Sequence, residues 1–154
     1  MGNAYGIVKL LHLLSVIAWL GGVTALSVVT WRVRGERDRQ ILAALLRQAT
    51  SFGRMIVGPA SGIVLLTGPA MVGMAHIGFR TFWVQVGFAG ILLHFIIGAT
   101  FLRKRTDELA SLASATAGDD DALLAAARRL WSTQIIYLAI LALVVAVMVL
   151  KPTL

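Results

Sequence analysis

The chain has 154 residues, 58% of them hydrophobic, a mean hydropathy of +0.86 and no cysteine. That allows one compact domain and excludes a separate soluble catalytic domain, disulfides, thiolate metal sites and cysteine nucleophiles. The net charge of +7 is sharply partitioned along the chain, so topology and anionic headgroups explain it better than a nucleic-acid partner.

Four apolar stretches, residues 5–30, 55–75, 82–102 and 131–150, are each close to the ~20 residues an α-helix needs to cross a bilayer. They predict an all-α integral membrane four-helix bundle in a single domain spanning 1–154. Six arginines (32, 34, 37, 39, 47 and 54) separate the first two spans, and Arg103, Lys104, Arg105, Arg128 and Arg129 separate the last two. Only Lys9, Arg80 and Lys151 fall on the other side. This positive-inside pattern predicts both basic loops cytoplasmic and both termini outside.

The first span lacks a basic leading region and a small-residue cleavage site, so it reads as a retained helix. One face of it carries Tyr5, His12, Ser15, Trp19 and Gly22, at steps of seven, three, four and three. An ionisable side chain inside a membrane is a functional-site hypothesis, because its desolvation costs several kcal/mol unless it is partnered. His12 therefore reads as an interhelical hydrogen-bonder, a cofactor or metal ligand, or a proton-relay or substrate contact.

After the charged turn at 34–39, residues 40–47 place Ile41, Leu42, Leu45 and Leu46 at helical spacing. This predicts an interfacial amphipathic helix leading into span two. Pro59 and Pro69 lie inside that span and predict a kink. The short link 76–80 predicts a tight antiparallel hairpin of spans two and three. Near it, Met71, Met74 and His76 form a soft ligand set that suits Cu(I); the bland reading is membrane filler and an interfacial histidine.

Span three carries Trp83, Gly87, Gly90, His94 and Gly98 on one face. The glycines suit close helix packing, and could instead open a slot for a flat macrocycle. His12 and His94 suggest a pair of haem ligands, but their depths differ by about 14 Å at ~1.5 Å per residue, which disfavours the pairing. The shared Leu-Leu-His at 10–12 and 92–94 is out of register and reads as chance. In the second basic loop, Gly118 reads as a helix stop, and Asp119, Asp120 and Asp121 suit the N-terminus of a helix running into span four. There, Ser132 and Gln134 read as interhelical hydrogen-bonders and Tyr137 as an interfacial aromatic. No span holds Asp or Glu at depth, which argues against an ion-coupled transporter.

His12 followed seven residues later by Trp19, with Gly21 and Gly22, forms one motif. Gly58-Pro59 with Leu65-Leu66-Thr67-Gly68 forms a second, and the closing Met148-Val149-Leu150-Lys151-Pro152 a third. Together they resemble a family of bacterial four-helix integral membrane proteins classed as a domain of unknown function. That resemblance covers essentially the whole chain and implies an inner-membrane four-helix bundle. More distantly, the first motif is similar to copper-resistance protein D domains and to haem-binding protoporphyrinogen oxidase membrane proteins, which implies copper or haem binding at His12. The chain differs from the oxidases in having no lysine in span three.

The expected function is a non-enzymatic accessory or scaffold subunit that contacts the lipid bilayer and other membrane subunits or copies of itself. Its expected helix-packing face comprises Ser15, Trp19, Gly22, Gly87, Gly90 and Gly98. The alternative is a haem b- or copper-binding membrane protein using His12, with His76 or His94 as the second candidate.

Overall fold

A computed structural model describes residues 2–115 and 120–151; Gly118, Asp119 and Pro152 lie outside them. The described chain forms α1 (Gly2–Val33), α2 (Arg39–Phe52), α3 (Gly58–Met74), α4 (Phe82–Ile96), α5 (Arg103–Ser114) and α6 (Asp120–Leu150). Two π-helical segments, Gly53–Val57 and Ile97–Leu102, join α2 to α3 and α4 to α5. The result is four long apolar rods, each able to cross a membrane by length and composition. The rod Arg39–Met74 has 36 residues, about 54 Å at helical rise, so it extends well beyond a ~30 Å hydrocarbon core.

The first π segment has a legible cause. Pro59 has no N–H to give the carbonyl four residues back, and its ring crowds that carbonyl. The ladder widens instead, and the Gly58 N–H reaches back to the Gly53 carbonyl. In the second segment, the Arg103 N–H reaches the Gly98 carbonyl. There Gly98 and Thr100 take the place of proline; the Thr100 hydroxyl donates to the Ile96 carbonyl, a local bond that bends helices.

At the basic end the rods extend into a small helical cap. Leu42 and Leu46 of α2, Leu109 and Ala113 of α5, and Leu123, Ala126, Ala127 and Leu130 of α6 bury against Val33 of α1. The amphipathic helix expected at 40–47 forms as part of α2, and its apolar face packs on protein: Leu42 is fully enclosed, while Ile41 is exposed. Asp38 caps α2, its Oδ1 accepting from the N–H groups of Gln40 at 2.8 Å and Ile41 at 3.2 Å. Arg39 then ties three elements, donating to the Leu112 carbonyl at the end of α5 and to Asp120 Oδ1 at the start of α6. The sequence indicated a helix from about Asp121, and among the described residues α6 runs from Asp120. Replacing Asp38 with alanine is expected to cost about 1 kcal/mol, the usual loss of an N-cap; chemical unfolding in detergent measures it.

Across the membrane, α3 packs on α1, α1 on α6, and α6 on α4. The expected hairpin of spans two and three is not a packed pair: α3 and α4 are linked through 75–81 but have no extended contact. Glycines explain why. A Cβ at Gly90 would run into Val144, and one at Gly87 into Met148, so both seat α4 tightly on α6. Gly22 does the same for α1, where an added Cβ would come within 2.8 Å of Val57 Cγ2. Each outer rod is thereby drawn to the central α1–α6 pair, and a cleft is left between them.

Candidate ligand cleft between spans two and three

The cleft has a volume of about 630 Å³. Gly53, Arg54, Val57, Gly58 and Ser61 line it from the second rod, and His94, Phe95, Gly98, Ala99, Leu102 and Arg103 from the third. Both π segments thus border it on facing walls. Such segments recur at functional sites because they re-aim side chains within an otherwise regular helix.

His94 lies at the inner end. Only 2% of its surface is exposed, yet neither ring nitrogen has a hydrogen-bond partner among the described residues. Its ring stacks on Tyr137, with centroids 3.5 Å apart, and meets Trp19 edge-on at 4.8 Å. The Trp19 indole N–H is buried and unpartnered as well. The Tyr137 hydroxyl rests against Gly98, 3.0 Å from where a Cβ would stand, and has no partner among the described residues. Buried polar groups are nearly always satisfied, so three such atoms together call for an explanation. Tyr137 was expected at the interface; it is buried because α6 carries it to the level of His94.

Two other polar groups of the last span have partners. Gln134 donates to the Val23 carbonyl at 3.2 Å, joining α6 to α1 as expected. Ser132, expected to bond between helices, donates to the Arg128 carbonyl of its own helix. Ser15 is buried on the α1 face with Trp19. Gly87 and Gly90 are filled by Met148 and Val144, so these two glycines of span three pack on α6, while Gly98 lines the cleft.

His12 occupies a separate place. Its Nδ1 lies 2.8 Å from Thr67 Oγ1, so the two spans' motif residues meet. In the tautomer in which the Thr67 hydroxyl donates to the Ile63 carbonyl at 2.7 Å, it accepts from His12 Nδ1–H, and Nε2 keeps its lone pair. Thr67→Val is expected to cost about 1 kcal/mol, within the range of interhelical hydrogen bonds in membranes; unfolding in detergent, alone and with His12→Phe, measures the coupling. His94 contacts Trp19, seven residues along α1 from His12, so the two histidines sit about 10 Å apart in depth. At the other end, Met71 is half-buried while Met74 and His76 are exposed. Among the described residues no three His, Cys, Asp or Glu side chains gather as a metal site.

Sequence reasoning missed Arg54, Arg103, Tyr137 and Thr67 as site residues. The arginines were absorbed into the charge asymmetry. Thr67 could have been found, since Ser61 and Thr67 are the only polar side chains between Arg54 and His76.

No curated protein and no solved structure matches this chain. The family model described as "Predicted integral membrane protein (DUF2269)" matches residues 6–152. With four apolar rods crossing one bundle and a match over nearly its whole length, the chain belongs to that family of integral membrane proteins.

Proposed function

We propose that this is a non-enzymatic membrane protein that binds an amphipathic small molecule in the cleft between its second and third spans. The observation that carries the reading is His94, enclosed at the cleft's inner end with both nitrogens unpartnered. Such groups cost free energy and persist where they serve a ligand. The basic end faces the cytoplasm in this reading, in a bacterial inner membrane, because eleven of the 14 basic residues flank it. A small binding subunit of this kind also suits an accessory role in a larger membrane complex.

The test is native mass spectrometry of the protein released from mild detergent. One small molecule per chain is expected, and Ala99→Trp, placed on the exposed cleft wall, removes it. A chain that carries nothing in either form contradicts the reading.

His12 favours a second reading, a haem or copper protein. Thr67 fixes its ring and leaves Nε2 able to ligate, the usual way an outer partner sets a ligating tautomer. The residues present fit a single axial imidazole; His94, about 10 Å deeper, does not fit as its opposite ligand. An absorption spectrum and metal analysis, repeated for His12→Ala, decide it: no Soret band and no stoichiometric metal overturn this reading.

A further inference from the structure

The charges at the cleft mouth narrow the ligand class, given the cleft-binding role proposed above. Arg54 and Arg103, one on each π-bordered wall, both line the cleft. Arg54 has no ion pair or hydrogen bond among the described residues. Arg103 approaches only Asp107, at 3.8 Å with both side chains largely exposed, and such a surface pair contributes little. Both guanidiniums stand where the apolar spans end, at headgroup level. Deeper in, the Tyr137 hydroxyl has no hydrogen-bond partner among the described residues and rests against Gly98, five residues before Arg103, about 7 Å along the helix. Leu26, Val57 and Phe95 give the wall an apolar stretch beside the polar Thr30, Ser61, Asp107 and Gln134, and α3 and α4 have no extended contact.

We propose that the cleft holds one anionic phospholipid. Its phosphate sits between Arg54 and Arg103, a pair of charge-assisted donors. The Tyr137 hydroxyl donates to an ester carbonyl below, and the acyl chains leave through the gap between α3 and α4. The apolar wall beneath the guanidiniums selects a lipid phosphate over a free one.

The experiment is native mass spectrometry of the delipidated protein titrated with phosphatidylglycerol or phosphatidylcholine. Phosphatidylglycerol is expected to bind one per chain, at least tenfold more tightly. Arg54→Gln with Arg103→Gln is expected to erase that preference. Arg47→Gln with Arg128→Gln, two exposed arginines outside the cleft, leaves it intact at the same total charge. Tyr137→Phe weakens binding by about three- to tenfold, the usual worth of a hydrogen bond. Equal binding of the two lipids, an equal loss in the control pair, or displacement by millimolar inorganic phosphate overturns the proposal. If a different, uncharged molecule occupies the cleft and Ala99→Trp removes it, the binding role stands and the phospholipid assignment falls.

Discussion

Gly90→Val is expected to lower the unfolding free energy by about 3 kcal/mol, the upper part of the overpacking range. The Cβ alone collides with Val144, whose branched side chain is held close to its own helix and cannot swing away. Valine's better helix propensity recovers only ~0.5 kcal/mol, so the collision decides the sign. Gly21, where an added Cβ meets nothing within 4 Å, is the matched control: Gly21→Ala is expected to be neutral or to stabilise by up to ~1 kcal/mol. Urea unfolding in detergent, followed by tryptophan fluorescence, reads both. Recovery of part of the Gly90→Val loss by Val144→Ala would locate the strain at this one contact. A neutral Gly90→Val would mean that α4 does not seat on α6 as described.

The second large effect divides stability from binding. His94→Phe keeps a ring against Tyr137 and Trp19 while removing two unpartnered nitrogens. Removing an unsatisfied buried polar group relieves a penalty of about 1–3 kcal/mol, and the slightly larger ring returns part of it. The variant is expected to be as stable as the parent or about 1 kcal/mol more so, and to lose at least tenfold in occupancy of the cleft. Residues retained for function commonly carry such a cost. A loss of ~2 kcal/mol or more with the ligand still bound would make His94 a packing residue.

Much of this fold was legible because each span is written locally. Apolar length marked the four rods, the spacing at 40–47 marked α2, and the aspartates marked the start of α6. Pro59 foretold a break, although the break took the form of a π segment rather than a simple kink. Neighbour choice was not legible. A short link between spans two and three suggests a packed pair, but pairing depends on which knob meets which gap. Gly87 and Gly90 find theirs in Met148 and Val144, more than fifty residues away. Tyr137 was misplaced for a related reason: nearness to Arg128 and Arg129 suggested the interface, whereas eight residues beyond Arg129 is already about 12 Å into the apolar span. The histidine offset could be read because it needed only rise per residue. The cleft could not, because it depends on two rods turning away from each other.

That separation can be tested by disulfide trapping, for which a chain without cysteine gives a clean background. Ser61 and Phe95 line opposite walls of the cleft at similar depth, seven residues from Arg54 and eight from Arg103. A disulfide requires Cα atoms within about 7 Å. Under mild oxidation in native membranes, Ser61→Cys with Phe95→Cys is expected to stay reduced, while Gly90→Cys with Val144→Cys, across the packed α4–α6 contact, cross-links. Cross-linking of the Ser61 and Phe95 pair as fast as the control would show that spans two and three close on each other and that there is no cleft to hold a ligand.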